Sequence, residues 1–192
     1  MNVLLLGPQG SGKGTQARLV ADAYEISHIG TGDMLRAAIA EGGELGARVE
    51  PLVDAGRLVP DDLMVELIRE RLGRDDTGPG FVLDGFPRTI AQAEALDEVL
   101  RDLGRELDIV LELQVKEGVS ADRLVQRAES EGRTDDTPEA IRTRLALYHE
   151  HAEPLVEYYR ARGKLVGIHG DRRIPEVFAE IQQALDQVEA AA

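Results

Sequence analysis

A chain of 192 residues can bury a substantial core, and 43% hydrophobic with 30% charged residues is a water-soluble, globular composition. No apolar run approaches the roughly 20 residues of a membrane helix, and Met1-Asn2-Val3-Leu4 opens without a basic n-region or cleavage site, so we expect a cytoplasmic protein with no membrane partner. A net charge of −14 argues against general nucleic-acid or membrane-surface binding, and the lack of cysteine excludes disulfides and thiolate metal sites.

The first predicted strand, Val3-Leu4-Leu5-Leu6, leads into the glycine-rich turn Gly7-Pro8-Gln9-Gly10-Ser11-Gly12-Lys13-Gly14-Thr15 and then a helix over residues 16–24. A glycine loop opening a helix brings backbone N–H groups close to a phosphate, because glycine lacks a Cβ and tolerates positive φ, and the helix N-terminus adds partial positive charge. Lys13 is placed to reach β- and γ-phosphates, and Thr15 offers a hydroxyl near a phosphate-bound Mg²⁺. The generic P-loop reads G-x-x-x-x-G-K-[ST]; here Gly14 stands between Lys13 and Thr15 and displaces the hydroxyl by one position. A packing turn with a solvated lysine is the bland alternative. Against it, the 22 Lys and Arg residues include lysine only at Lys13, Lys116 and Lys164, so an arginine-biased chain keeps the compact ammonium in this loop. A polyanion bound by so acidic a chain requires a local cleft where arginines are concentrated.

Residues 26–29 form a short apolar segment, and Thr31 or Asp33 of Gly30-Thr31-Gly32-Asp33 is the expected cap of a second helix that Gly42-Gly43 ends. A short helix over 45–55 follows, with Leu45, Val49, Leu52 and Val53 on one stripe and Gly56 as terminator, and Pro60-Asp61-Asp62 starts another. Phe81-Val82-Leu83-Asp84 is a strand ending in a carboxylate, which in a chain with a P-loop suits a group holding Mg²⁺ or its waters. Gly85-Phe86-Pro87-Arg88-Thr89 presents Arg88 before a helix over 90–103, and residues 108–115 read as a strand. A helix from Val119 carries Arg123 and Arg127 and stops near Glu131-Gly132; the polar loop 132–138 ends with Thr137 and Pro138 starting a long helix that Pro154 should kink or divide. A strand over 164–169 and a helix over 174–188 close the chain. Strands alternating with helices predict an α/β fold, a parallel sheet covered on both faces. His28, His149, His151 and His169 lack joint metal-ligand spacing and receive no role.

The loop, Thr31-Gly32-Asp33, Asp84-Gly85-Phe86-Pro87-Arg88, Gln92, and Gly132-Arg133 followed by Asp135-Asp136 make the chain resemble adenylate kinases over nearly its whole length. The resemblance implies a P-loop three-layer fold, a single kinase domain over 1–192 and the reaction MgATP + AMP ⇌ 2 ADP. It implies that Gly10, Ser11, Gly12, Lys13, Gly14 and Thr15 bind the ATP phosphates, with Arg127 and the main chain near Arg172 beside ATP. Residues 30–59 would be an AMP-binding segment, with Thr31 and the main chain of Arg57, Leu58 and Val59 around adenine, Arg36 and Arg88 on the AMP phosphate, Gly85-Phe86-Pro87 beside it and Gln92 on the base. Arg133 and Arg144 match arginines that embrace the transferring phosphoryl group, and Asp33 and Asp84 would act on Mg²⁺ through its waters. Gly30 stands where serine is expected and Gln9 where proline is frequent. The chain is similar to short-lid members, with a lid at about 126–136, no inserted domain and no zinc, and a monomer is expected. A UMP/CMP kinase is the near alternative; Thr31 and Gln92 favour adenine. A GTPase-like switch lacks support because no N-K-x-D occurs, and an inactive homologue would have lost Lys13 or one of these arginines.

Overall fold

Val3-Leu4-Leu5-Leu6 is apolar at every position because it lies in β1 (Asn2–Leu6), the middle strand of a five-stranded sheet covered on both faces. A computed structural model describes residues 1–131 and 135–190, with Glu117 and residues 128–131 described by their backbone alone. The other strands are β2 (Ser27–Gly30), β3 (Phe81–Asp84), β4 (Ile109–Gln114) and β5 (Leu165–His169). Their order is β2-β3-β1-β4-β5 and every neighbouring pair is parallel, so the α/β expectation holds.

Alternate residues of a strand face opposite ways. Val3 and Leu5 accordingly join Val82 and Leu111 against α1 (Lys13–Tyr24) and α8 (Ile174–Glu189), where Ala17, Val20, Val177, Ile181 and Leu185 are buried. Leu4 and Leu6 join Leu83 and Val110 in a second core with α4 (Asp61–Leu72), α5 (Ile90–Asp102) and α7 (Pro138–Arg160), to which α2 (Thr31–Glu41) and α3 (Glu44–Asp54) add Leu35 and Val49. The remaining helix among the described residues is α6 (Glu117–Glu131). Each fully buried Leu or Phe contributes about 1.5–3 kcal/mol, so the sheet centre is a firm platform for the loops at its ends.

In a parallel sheet the loops at the carboxyl ends of all strands leave on one edge. β1 sits between β3 and β4, neither its neighbour in sequence, and the crevice outside the carboxyl ends at such a reversal is where open α/β sheets bind ligands. The register pairs Leu5 with Asp84, setting that carboxylate beside the loop that starts at Gly7.

Several boundaries differ from expectation. α1 starts at Lys13, not at residue 16, with Gly12 as a left-handed N-cap at φ 95, so Lys13, Gly14 and Thr15 form its first turn. α2 starts at Thr31 with Gly30 as N-cap, and neither Thr31 nor Asp33 caps it: the Thr31 hydroxyl donates instead to the Asp84 carbonyl at 3.3 Å, and Asp33 pairs with Arg36. The apolar segment at 26–29 is the edge strand β2, and α6 begins at Glu117 rather than at Val119. Asp75–Thr77 adds a short 3₁₀ turn. Thr137 accepts a hydrogen bond from the Ala140 N–H and Pro138 opens α7, as expected. Pro154 does not divide α7; the carbonyl that its missing N–H cannot serve belongs to Glu150, and both residues are exposed, so that carbonyl is open to solvent.

Candidate active site

The turn after β1 and the first turn of α1 form one wall of a cleft of about 610 Å³. Gly10 has φ +81, and a Cβ there would lie 2.3 Å from the Ser120 carbonyl oxygen, so conformation and space both demand glycine. The N–H groups of an α-helix's first turn lack intrahelical acceptors, which leaves those of Lys13, Gly14 and Thr15 available to an anion. Among the described residues Ser11 Oγ is buried without a hydrogen-bond partner, and its hydroxyl can donate to a phosphate oxygen. Lys13 Nζ donates to the carbonyls of Gly7 at 2.7 Å and Pro8 at 2.8 Å, folded back over its own loop. Burial pushes the Lys13 ammonium down to about 8; Asp84 opposes that shift, while Arg88 and Arg127 add to it. A Cβ on Gly14 would stand 3.4 Å from Asp84 Oδ2, so the residue that displaces the usual hydroxyl lies directly against the carboxylate.

Across the cleft, Thr31 is buried at the start of α2. Gly85, at φ +86, lets the chain pass under it: a Cβ there would meet Thr31 Oγ1 at 2.5 Å. The loop ends in Arg88, whose Nε donates to the Gly85 carbonyl at 2.8 Å. Burial lowers the pKa of the Arg88 guanidinium, the nearby Arg144 charge adds to this, and Asp84 opposes it. The Phe86–Pro87 peptide is cis. Gln92, in the first turn of α5, faces the cleft with its amide held: Oε1 accepts from the Arg88 N–H at 2.7 Å and Nε2 donates to Asp61 Oδ1 at 2.6 Å. Arg36 pairs with Asp33 at 2.5 Å, and Arg57, Leu58 and Val59 after α3 line the same cleft.

A third group closes the site from α6 and α7. Arg127 makes a two-point contact with Asp136, at 2.8 and 2.9 Å. Arg144 donates to Asp136 at 2.5 Å, to Asp135 at 2.8 Å and to the Val53 carbonyl at 3.0 Å. Arg36 reaches Asp135 at 3.6 Å, which ties α2 to this cluster. Burial pushes the Asp135 carboxyl up, but the Arg144 guanidinium, with Arg36 behind it, outweighs burial and holds its pKa below the usual carboxylate value. Arg144, placed by sequence only at the edge of an apolar stripe, is buried because these two carboxylates receive it. Arg133 lies outside the described residues.

Among the described residues, nine Lys and Arg side chains and three carboxylates line the cleft, a basic interior in a chain of charge −14. Arg123 is one that the sequence reading did not single out as a site residue. It donates to the Gly170 carbonyl at 2.8 Å, joining α6 to the loop that carries Arg172, and its position one helical turn before Arg127 was the available signal. Arg172 lines the cleft from that loop, and Tyr148 and His151 of α7 also reach it, although histidine had been given no role.

The family model described as adenylate kinase matches residues 5–164. An adenylate kinase of Stenotrophomonas maltophilia strain K279a is 46% identical over 185 residues, covering 96% of this chain and 99% of its own length. One from Cyanothece sp. is 48% identical over 186 residues, covering 97% and 95%, and one from Xanthomonas euvesicatoria pv. vesicatoria is 45% identical, covering 96% and 99%.

Proposed function

This chain belongs to the adenylate kinase family and reversibly transfers the terminal phosphoryl group of MgATP to AMP, giving two ADP; from that premise we propose how the cleft divides between the two nucleotides. The observation that carries the proposal is the cleft's lining: the glycine-rich loop and a set of arginines share one cavity with the buried polar side chains of Thr31 and Gln92.

The ATP phosphates lie along Gly10, Ser11, Gly12, Lys13, Gly14 and Thr15, with the rest of ATP beside Arg127 and Arg172. AMP occupies the segment at about 30–59: its base meets Thr31, Gln92 and the main chain of Arg57, Leu58 and Val59, and its phosphate meets Arg36 and Arg88 beside Gly85, Phe86 and Pro87. Arg133 and Arg144 hold the transferring phosphoryl group. Phosphoryl transfer spreads charge over equatorial oxygens, and the AMP phosphate is an ionised nucleophile, so fixed cations serve where a general base is not needed. Asp33 and Asp84 suit the waters of the Mg²⁺ that enters with ATP; a zinc site is not proposed, since the chain has no cysteine. The 126–136 segment serves as a short lid, and lid closure over substrate is a known behaviour of adenylate kinases. Among the described residues no helix is long and apolar enough to cross a membrane, and we place the enzyme in the cytoplasm as a monomer.

The test is a panel of AMP, CMP, UMP and GMP at saturating ATP. A buried polar group left unpaired costs about 1–3 kcal/mol, roughly five- to 150-fold in selectivity. Thr31→Ala should narrow the AMP preference more than it slows turnover, whereas Arg88→Ala should depress all acceptors alike. Equal selectivity in wild type and Thr31→Ala would contradict the placement of the base.

A further inference from the structure

Asp61, the first residue of α4, does not line the cleft, yet it grips the side chain proposed to meet the acceptor base. The Gln92 amide has two fixed contacts, the Arg88 N–H on its oxygen and Asp61 Oδ1 on its nitrogen. Neither survives reversal of the amide: a carboxylate has no proton for an amide oxygen, and the Arg88 N–H would face another N–H. The carboxylate is itself anchored, since Asp61 Oδ2 accepts from the Thr89 hydroxyl at 3.0 Å, while that hydroxyl's oxygen caps α5 by accepting the Gln92 N–H at 3.2 Å.

We infer that Asp61 is a positioning residue that sets acceptor-base specificity by fixing the direction of the Gln92 amide. The inference rests on the placement of the acceptor base against Gln92. An amide carries two protons on nitrogen and two lone pairs on oxygen, so its fixed contacts leave one N–H and one lone pair to offer, in a defined order. A 6-aminopurine presents the complementary edge, a ring-nitrogen acceptor beside an amino donor. A 6-oxopurine of the same size presents the reverse, a ring N–H beside a carbonyl, and would set donor against donor and acceptor against acceptor. A 4-aminopyrimidine has the matching order on a smaller ring, so the amide direction separates amino from oxo bases, and ring size must separate adenine from cytosine.

The sharpest comparison is AMP with inosine monophosphate, which share sugar, phosphate and ring size. A merely structural Asp61, tying α4 to α5, would lower the melting temperature and slow both acceptors alike. A positioning Asp61 changes their ratio. The experiment measures kcat/KM for both acceptors, at saturating MgATP, in wild type, Asp61→Ala, Asp61→Asn, Thr89→Val and Gln92→Ala. Asp61→Ala should lower the AMP/IMP ratio about tenfold, the scale of one buried hydrogen bond's mismatch, chiefly through KM. Asp61→Asn keeps the volume, can donate as well as accept, and should move the ratio the same way even if the alanine variant does not fold. Thr89→Val removes the anchor of the Asp61 carboxylate and should lower the melting temperature and move the ratio in the same direction as the Asp61 variants, by a smaller factor. Should Gln92→Ala collapse the ratio while both Asp61 variants preserve it, the role of Asp61 is overturned and the base placement stands. A ratio unmoved by Gln92→Ala would overturn both.

Discussion

Lys13→Met should lower turnover by at least on the order of 10²–10³-fold at saturating MgATP and AMP, because on the proposed placement it removes the ammonium that the loop brings to the β- and γ-phosphates. That is the scale, about 2.7–4 kcal/mol, of losing one preorganised partner to transition-state charge. The variant should still fold. Its loss is two hydrogen bonds, from Lys13 Nζ to the carbonyls of Gly7 and Pro8, each worth about 0.5–1.5 kcal/mol net. An opposing gain comes from no longer burying a charge whose pKa burial has pushed down to about 8. Methionine keeps the length and apolar bulk of the stem, and the backbone donors of the loop are untouched. A coupled assay and a thermal melt check this: near-normal turnover would refute the placement of the ATP phosphates, and a collapsed melting temperature would mean that Lys13 holds the loop together.

Arg144→Met should have the larger combined effect, since on the proposed placement the same guanidinium serves chemistry as well as architecture. An arginine that stabilises the transferring phosphoryl group is worth on the order of 10³-fold or more in turnover. Arg144 is also the main partner of Asp135, and its loss leaves that buried carboxylate, among the described residues, with Arg36 at 3.6 Å, whereas Asp136 keeps both contacts from Arg127. Removing one member of a buried pair costs about 3–5 kcal/mol, here moderated by the remaining cations. The pH dependence has a definite sign. The folded pKa of Asp135 is depressed, so its stabilising contribution is full above the unfolded value and lost as pH falls through the folded one. The melting-temperature deficit of Arg144→Met should therefore be greatest near neutrality and shrink below about pH 4, where the carboxyl no longer needs a partner. A deficit independent of pH would place the damage in packing rather than in the ion pair.

Much of this was legible in the sequence, and the reasons can be given residue by residue. The all-apolar Val3–Leu6 run signals burial on both faces, and the glycine-rich turn between it and a helix is placed by the structure at the wall of the cleft, where the phosphate cradle is proposed. The α/β order follows from alternation. What sequence reading missed depends on contacts distant along the chain. Thr31 resembles an N-cap but donates to Asp84, 53 positions away, so α2 starts earlier than propensity suggests. Arg144 looks like the margin of a helix stripe until Asp135, Asp136 and the Val53 carbonyl surround it. Pro154 reads as a helix breaker, yet exposure on α7 lets solvent satisfy the orphaned carbonyl. Asp61 has no local signature at all; its meaning comes from Gln92 and Thr89, about thirty residues on, once α4 and α5 pack together.

The central claim is that one cleft holds both nucleotides, with Lys13 and Arg144 exchanging their present protein partners for phosphate. A crystal structure with two adenosines joined through five phosphates tests it most directly. The account predicts the phosphate chain along residues 10–15, Lys13 Nζ drawn off the Gly7 and Pro8 carbonyls onto phosphate oxygens, Arg88 and Arg144 on the central phosphates, and one adenine against Thr31 and Gln92. Lys13 still bonded to Gly7 and Pro8 with the analogue bound, or an adenine seated away from Thr31 and Gln92, would contradict it.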